Sequence, residues 1–217
     1  MKVTPSKLEF PLAMDDPNRD RTVLHASDIY NSYYEQSNPK RYGQKKDAPS
    51  PDLLFAMGLA WEQYFEKALK ANGVECDRPG ELTGEWKGKE IKYSPDLLIL
   101  DNGEWWLGEI KLAWKSSRLK LTDKDFAKYL TQGRMYAYWT EIPRIQYFVN
   151  HVVGNWRDYP LPQMRPWKVE FTKREIMDEM KTMMNHAENE DLFAKAEAGL
   201  LSNAKALPTS SIRTRKR

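Results

Sequence analysis

The fold is decided by residues 94–111, whose sequence is SPDLLILDNGEWWLGEIK. Two apolar runs flank Asp101-Asn102-Gly103, residue types that favour a tight turn between antiparallel strands. The pattern therefore predicts strands over Ile91–Leu100 and Glu104–Ala113 that pair as a hairpin. Together with shorter strand-like runs before it, this hairpin predicts a meander of neighbouring strands.

Three charged residues lie in or beside these strands. Side chains two apart in a strand point to the same side, so Glu109 and Lys111 share one face while Ile110 points to the other. The hairpin would bring Asp96 alongside them. Two converging carboxylates form a hard oxygen site suited to Mg²⁺ or Mn²⁺, and a lysine can bind a phosphate or orient an attacking water. The alternative is a cross-strand ion pair at the end of the sheet.

An acid two residues before a lysine is weak as a signal, because the chain contains four such triplets. They are Glu85-Trp86-Lys87, Glu90-Ile91-Lys92, Glu109-Ile110-Lys111 and Glu179-Met180-Lys181. The first two flank a turn and the last falls on a helix exposed to solvent, so these three are expected to be background. Only the third follows a Pro-Asp at hairpin distance inside an apolar strand, where charges are costly unless paired or bound to metal.

Capping residues and periodicity predict the other elements. Ser50-Pro51-Asp52 is a typical helix start and Asn72-Gly73 a typical helix end. A capping box at Thr172-Lys173-Arg174-Glu175 starts a last helix that runs towards Ala198. The remaining elements are a helix from the cap Ser27 to before Pro39, a long loop over Glu35–Ser50, strands near Val74–Arg78 and Glu81–Trp86, a helix over Thr122–Thr140, and strands over Ile145–Val153 and Trp167–Phe171.

This order of elements predicts an α/β protein with a central mixed β-sheet flanked by helices. We expect one domain over residues 23–200. An extended N-terminal arm, 1–22, would precede it, and a basic, disordered tail, 201–217, would follow.

The composition limits the class of protein. The 217 residues are 41% hydrophobic and 30% charged, which suits a single globular domain with a substantial core. Apolar stretches are far shorter than the roughly 20 residues of a membrane span, so we expect no membrane association and a cytoplasmic location. The single cysteine, Cys76, excludes a disulfide framework, a cysteine-based zinc site and a four-cysteine iron–sulfur cluster. Any metal must therefore have oxygen or nitrogen ligands.

The net charge of +3 is unevenly distributed. Arg213, Arg215, Lys216 and Arg217 lie in an acid-free C-terminal segment, so the rest of the chain is close to neutral. This segment is either a solvated tail or a contact for nucleic acid.

The motifs of the chain occur in the order of a known family. Ser94-Pro95-Asp96 followed by Gly108-Glu109-Ile110-Lys111 resembles the signature of the PD-(D/E)XK nuclease superfamily. Upstream, Gly58-Leu59-Ala60-Trp61-Glu62 is similar to the Gly-x-x-x-(His or Glu) element of its RecB-like and lambda-exonuclease-like (YqaJ) branches. Downstream, Tyr129–Tyr136 contains their Gln-x-x-x-Tyr motif. The ordered set covers roughly residues 24–172, and it implies a restriction-endonuclease-like fold.

The resemblance also implies cofactors and ligands. It implies Mg²⁺, for which Mn²⁺ would substitute, and no iron–sulfur cluster. Lys111 would be the catalytic lysine. Glu62 stands where RecB-type nucleases usually have histidine, as in lambda-exonuclease-like enzymes. The implied metal ligands are Glu62, Asp96, Glu109 and the carbonyl of Ile110.

Two helical pairs leave alternatives open. Glu66 lies one turn beyond Glu62 on the same face, so either could be the ligand, and the spacing from Gly58 favours Glu62. Gln132 and Tyr136, also one turn apart, would face the site and position the lysine or a DNA phosphate. The alternative is that Tyr136 packs in the core with Gln132 at its edge.

Five residues outside the motifs are candidates for nucleic-acid contact. Trp114, Lys115 and Arg118 directly follow the predicted catalytic strand, and Lys45 and Lys46 belong to a basic loop. An aromatic ring beside basic residues can stack on a base while the cations contact the backbone.

These features predict a divalent-metal-dependent DNA nuclease in which a metal-activated water hydrolyses the phosphodiester. The Gln-x-x-x-Tyr element favours an exonuclease or end-processing enzyme of DNA recombination or repair. A restriction or junction-resolving endonuclease is one alternative, and a non-catalytic DNA-binding protein with the same fold is another. The resemblance further suggests a ring-shaped homo-oligomer and a recombination-protein partner as candidates.

Overall fold

A computed structural model describes residue 20 and residues 22–42, 51–113, 124–152 and 163–201, with backbone alone at 51–55, 125, 163 and 165. The helices are α1 (Ala26–Ser37), α2 (Pro39–Tyr42), α3 (Pro51–Ala71), α4 (Ala127–Thr140), α5 (Lys173–Asn189) and α6 (Leu192–Glu197). The strands are β1 (Leu24–His25), β2 (Cys76–Asp77), β3 (Leu82–Trp86), β4 (Lys89–Tyr93), β5 (Leu97–Asp101), β6 (Glu104–Ala113), β7 (Arg144–His151) and β8 (Gln163–Glu170). A short 3₁₀ turn, Lys124–Phe126, leads into α4.

A five-stranded sheet forms the centre of the molecule, in the order β2-β5-β6-β7-β8. Its β5–β6 hairpin turns at Asn102-Gly103, where both residues have positive φ angles. The pair β6–β7 is parallel and the other pairs are antiparallel. The predicted mixed sheet flanked by helices is therefore confirmed.

The predicted meander is wrong at one place. The expected strand over Ile91–Leu100 is interrupted at Ser94-Pro95-Asp96, and its two halves belong to different sheets. The half β4 pairs with β3 and β1 in a separate three-stranded sheet. Proline lacks the N–H that a central strand needs, and it also restricts the residue before it, so the chain leaves one sheet and enters the other at this point.

Several boundaries also differ from the predicted ones. The helix expected to begin at the Ser27 cap starts instead after His25. The expected loop over Glu35–Ser50 retains helix through Ser37 and adds α2, while residues 43–50 lie outside the described part. The last helix is broken at Asp191, which has a φ of 51°, so α5 and α6 are separate.

Apolar residues cover both faces of the five-stranded sheet. On one face Leu107 and Tyr147 pack against Met135 of α4, within a core that extends to α1, α5 and α6. On the other face Phe65 of α3 packs against Phe148, with ring centroids 4.8 Å apart. Because side chains alternate along β6, this arrangement decides which layer each residue of the candidate site faces.

Candidate active site

Asp96 and Glu109 lie beside each other on the β5–β6 hairpin. The register pairs Leu97 with Gly108, so Asp96 comes next to the Glu109-Ile110 peptide. Its Oδ2 accepts a hydrogen bond of 2.7 Å from the backbone N–H of Ile110. A glycine is required at position 108, because a Cβ there would lie 2.9 Å from Leu97 Cβ. The predicted convergence of the two acids is therefore present.

The ammonium of Lys111 joins the two acids. Its Nζ lies 3.7 Å from Asp96 Oδ2 and donates a hydrogen bond to Glu109 Oε2. Burial by itself would lower the pKa of Lys111, but attraction by Asp96 and Glu109 outweighs it and holds that pKa well above its usual value. The lysine is therefore a permanent cation at this site.

Glu109 is fully buried, and its Oε1 has no hydrogen-bond partner in the part of the chain that the structure describes. Burial, followed by repulsion from Asp96, raises the pKa of Glu109 to about 8. An unpartnered buried carboxylate oxygen is costly in a protein interior. This oxygen can be satisfied by a cation bound beside it.

Glu62 and Glu66 of α3 have different electrostatic surroundings. Burial, followed by repulsion from Asp96, raises the pKa of Glu62 to about 7. Glu66 is instead paired with Lys70 at 2.9 Å and with Arg78 at 3.1 Å, and these partners lower its pKa. The position of the charges therefore favours Glu62 as the acid that belongs to the cluster.

The donor set fits a hard divalent cation in its chemistry. Within the described ranges, no group of three or more His, Cys, Asp and Glu side chains is assembled as a metal site, and Lys111 lies between two of the candidate acids. The unpartnered oxygen of Glu109 and the mutual repulsion of the acids both favour a cation. The residues that would hold it are Glu62, Asp96, Glu109 and the carbonyl of Ile110.

Gln132 and Tyr136 of α4 are both buried and contact each other. Gln132 Nε2 donates to Tyr136 Oη at 3.0 Å, and the Tyr136 ring lies 5.6 Å from that of Tyr93. Burial, then the charges of Tyr30 and Glu109, raise the pKa of Tyr136 well above its usual range. The pair therefore packs in the core close to Glu109.

Two tyrosines near Lys111 are not indicated by the motifs. The Nζ of Lys111 lies 5.8 Å from the centroid of the Tyr129 ring, a cation–π arrangement. Tyr30 of α1 is buried near the same charges, and burial raises its pKa well above its usual value. Tyr129 opens the sequence that contains the Gln-x-x-x-Tyr motif, but only the folded chain brings Tyr30 to the site.

A polar network fastens α4 to its neighbours close to this site. Thr131 Oγ1 lies 2.9 Å from both Tyr34 Oη of α1 and Glu179 Oε1 of α5. The other oxygen of Glu179 accepts from Arg134 Nη1 at 3.0 Å. The acid-x-Lys triplet at 179–181 is thus structural, and its acid is not freely exposed.

The five candidates for nucleic-acid contact, Lys45, Lys46, Trp114, Lys115 and Arg118, lie outside the described residues. Residues 1–19 of the predicted arm and 202–217 of the predicted tail also lie outside them. No helix in the described part is long and apolar enough to cross a membrane.

Comparison with known proteins gives a likeness of fold. No protein-family model matches the chain, and no curated protein matches its sequence significantly. The structure of LHK-Exo in complex with dAMP aligns with a TM-score of 0.52 at 18% identity, covering 84% of this chain and 96% of that one. Another structure of LHK-Exo, an alkaline exonuclease from Laribacter hongkongensis, gives 0.49 at 17% identity over the same shares. SSO0001 gives 0.46 at 16% identity over 77% of each chain.

The LHK-Exo complex shows that this chain has the fold of an exonuclease structure along most of its length. The predicted restriction-endonuclease-like fold is confirmed by this likeness. The likeness is one of fold, and it agrees with the predicted resemblance to the PD-(D/E)XK nuclease superfamily.

Proposed function

We propose that the protein is a divalent-metal-dependent DNA nuclease whose active site is the Asp96, Glu109 and Lys111 cluster with Glu62. The observation that carries this proposal is a buried glutamate with an unpartnered oxygen, beside a second carboxylate and a lysine that contacts both. A cross-strand ion pair needs one acid and would leave neither repulsion between acids nor an unpartnered oxygen.

Each residue has a role that follows from its position. Glu62, Asp96, Glu109 and the carbonyl of Ile110 would bind the cation, Mg²⁺ or Mn²⁺. When bound, such a cation polarises the phosphodiester and acidifies water. Lys111, cationic at all physiological pH values, stabilises negative charge on the phosphate or orients the attacking water. Hydrolysis is expected to leave a 5′-phosphate and a 3′-hydroxyl.

Gln132 and Tyr136 would act behind this cluster. Their mutual hydrogen bond fixes the Tyr136 ring against Tyr93, close to Glu109. We propose that they keep Glu109 and Lys111 in place, with any contact to a DNA phosphate made through Gln132.

Within nucleases, we propose an exonuclease or an end-processing enzyme of DNA recombination or repair. The support is the Gln-x-x-x-Tyr pattern, together with a shared fold with LHK-Exo, whose structure contains dAMP, a mononucleotide. A homo-oligomer and a recombination-protein partner remain part of this proposal.

The test is a cleavage assay on end-labelled linear duplex, linear single-stranded and closed circular DNA, with Mg²⁺ or with EDTA. We expect Mg²⁺-dependent degradation of linear DNA, blocked by EDTA. Cleavage of circular DNA at comparable rates would identify an endonuclease instead.

The chain supplies a matched control for the catalytic lysine. Lys92 ends the same Glu-Ile-Lys sequence, but it pairs with the exposed Glu90 on β4. Lys111→Ala is expected to reduce the cleavage rate by about 10²-fold or more while DNA binding is kept, whereas Lys92→Ala leaves the rate unchanged. A wild-type protein that binds DNA without cleaving it, and a Lys111→Ala variant that behaves identically, would identify a non-catalytic DNA-binding protein.

A further inference from the structure

Arg78, which follows β2, lies between the two glutamates of α3. Its Nε donates to Glu66 Oε2 at 3.1 Å, and its Nη1 lies 3.7 Å from Glu62 Oε2. Its Nη2 is buried and has no hydrogen-bond partner among the described residues. The guanidinium is thus hydrogen-bonded to Glu66 on one side, and it has a longer contact with Glu62 on the side of the candidate active site.

Glu66 fixes this orientation. One of its oxygens accepts from Arg78 and the other accepts from Lys70 at 2.9 Å, so the carboxylate is held from two directions. The 3.7 Å separation from Glu62 is an ion pair without a close hydrogen bond. If Glu62 binds a cation, Arg78 keeps its anchor on Glu66, and both Nη groups are then free to bind another anion.

The charge balance at the site shows what that anion would be. Glu62, Asp96 and Glu109 are three acids, and the cations that act on Glu62 are Lys111 and Arg78. Lys111 is already engaged by Asp96 and Glu109. Arg78 therefore holds the spare donors, and a planar guanidinium with two free Nη groups matches the oxygens of a phosphate.

We propose that Arg78 binds a backbone phosphate of the nucleic-acid strand at the active site, and that Glu66 is a positioning residue that holds Arg78 for this contact. The inference rests on the proposed function, because it takes the substrate to be a nucleic acid. It also assigns different roles to the two glutamates of α3, because Glu62 would bind the cation and Glu66 would hold Arg78.

A purely structural role for Arg78 has different consequences. If Arg78 only neutralises Glu62, its removal exposes Glu62 to the cation and tightens Mg²⁺ binding, while the affinity for DNA stays unchanged. If Arg78 contacts a phosphate, its removal weakens DNA binding and removes one phosphate contact. The slope of log binding constant against log salt concentration then becomes shallower by about 0.9 for duplex DNA.

The experiment compares Arg78→Ala, Arg78→Lys and Glu66→Gln with Lys70→Ala as the matched control. Lys70 also binds Glu66 and carries the same charge as Arg78, but Lys70→Ala leaves the Arg78 anchor intact. The dissociation constant for labelled linear duplex is measured at several salt concentrations with Mg²⁺, in a Lys111→Ala background so that the DNA is not consumed. KM and kcat are measured for the same variants with Lys111 retained, so that the protein can cleave DNA. Thermal unfolding shows whether each variant is folded.

We expect Arg78→Ala to raise both the dissociation constant and KM by about tenfold, the loss of one charge-assisted hydrogen-bonded contact. Its kcat should change less than its KM. Arg78→Lys should keep the salt slope and recover part of the affinity. Glu66→Gln should weaken binding in the same direction, and the double variant Arg78→Ala/Glu66→Gln should bind no more weakly than Arg78→Ala. Lys70→Ala should stay within about twofold of the parent.

Two results would overturn the inference. The first is that Arg78→Ala binds DNA with unchanged affinity and an unchanged salt slope. If Arg78→Ala does not fold, the equivalent result is that Glu66→Gln keeps the full affinity and salt slope and Arg78→Lys binds like the wild type. The second is that Lys70→Ala weakens DNA binding as much as Arg78→Ala does, which would show that the loss of any positive charge in this region has the same effect. If the wild type does not cleave DNA but Arg78→Ala still binds it more weakly than Lys70→Ala, the proposed nuclease activity is wrong and the phosphate contact of Arg78 is supported. If the wild type cleaves and Arg78→Ala binds normally, only this inference fails.

Discussion

Glu109 has no exposed surface, yet its Oε1 accepts no hydrogen bond from any described residue. Such a group lowers the stability of a protein unless a ligand satisfies it. Glu62 adds to the cost, because burial and repulsion from Asp96 disfavour its charged form. At the scale of single residues, the site is thus unfavourable to folding when no cation is bound.

The first prediction concerns the pH dependence of stability without divalent cations. The pKa of Glu62 is about 7 in the folded protein, above the usual value of 4.5. The folded state therefore binds the proton more tightly than the unfolded state, so the free energy of unfolding falls as pH rises from about 4.5 to 7. Glu109, with a pKa of about 8, should make the free energy of unfolding continue to fall up to about pH 8. We expect the thermal midpoint in EDTA to decrease across this window, measured by calorimetry.

Two variants one helical turn apart isolate the contribution of Glu62. In Glu62→Gln, the fall in the free energy of unfolding with rising pH should be smaller by about 2 kcal/mol. The variant should also be stabilised less by Mg²⁺. For the wild type, that stabilisation is about 2.7 kcal/mol when the Mg²⁺ concentration is 100 times its dissociation constant. Glu66→Gln should show neither change, because its partners are Lys70 and Arg78. An identical pH profile for Glu62→Gln and wild type would contradict the placement of Glu62 in the cluster.

The sequence identified the candidate acids and favoured Glu62 by its spacing from Gly58, but it left Glu66 as an alternative. Both lie on one helical face at the right spacing, and their difference arises from Arg78, which reaches them from a separate element. Tyr30 was missed for the same reason, because only tertiary packing places α1 beside Lys111. Residues named by a motif were predictable, whereas their partners were not.

At the scale of elements, α4 approaches β7 at a glycine. A Cβ on Gly133 would lie 2.1 Å from Tyr147 Oη, which donates to the Tyr129 carbonyl at 2.8 Å. The same helix carries Tyr129, whose ring lies over Lys111. Packing of this helix and the geometry of the site are therefore coupled.

The second prediction is that Gly133→Ala destabilises the protein by about 1–3 kcal/mol through overpacking, measured by denaturant unfolding. Gly58→Ala is the matched control, because Gly58 is also helical and no described atom lies within 4 Å of its added Cβ. That change should be neutral or should stabilise α3 by up to about 1 kcal/mol. Removing the clashing hydroxyl in Gly133→Ala/Tyr147→Phe should restore part of the loss. No restoration in the double variant would show that the hydroxyl is not the obstacle.

The third prediction tests the network that fastens α4 to α5. Glu179→Ala removes the ion-pair partner of Arg134 seen at 3.0 Å. The Nε of Arg134 is already buried and has no hydrogen bond to a described residue. We expect a loss of about 2 kcal/mol in the free energy of unfolding. The neighbouring Asp178 pairs with Arg174, and both are well exposed, so Asp178→Ala should cost under about 0.5 kcal/mol. Equal losses in the two variants would show that the ion pair between Glu179 and Arg134 is not the cause.

Elements with strong local signals were predicted closely, and their breaks were not. The bounds of β6 match the predicted strand Glu104–Ala113, and α3 begins and ends at the proline and glycine signals. The pattern over Ile91–Leu100 showed a continuous strand because hydrophobicity does not record which sheet a strand joins. Likewise, the left-handed conformation of Asp191, which divides the last helix, has no glycine to signal it.

At the scale of the whole molecule, the charge of the chain is divided between a nearly neutral body and a basic C-terminal segment. Arg213, Arg215, Lys216 and Arg217 exceed the net charge of +3 by themselves. The fourth prediction is that removal of residues 213–217 weakens DNA binding and flattens its salt dependence, because fewer counterions are released. Cleavage should persist at low salt, since the candidate site lies elsewhere. Complete loss of cleavage by a folded truncated protein would give this segment a role in the reaction.

The parallel pairing of β6 with β7 has a consequence for the order in which the molecule assembles during translation. Asp96 and Ile110 are only fourteen residues apart, so their contact is of low contact order and can form while the chain is still short. The strand that pairs beside Glu109 and the ring over Lys111 come from segments synthesised later. A nascent chain would therefore have its acid pair well before the surroundings that orient the lysine, and hydrolytic competence would arise only after β7 has joined the sheet.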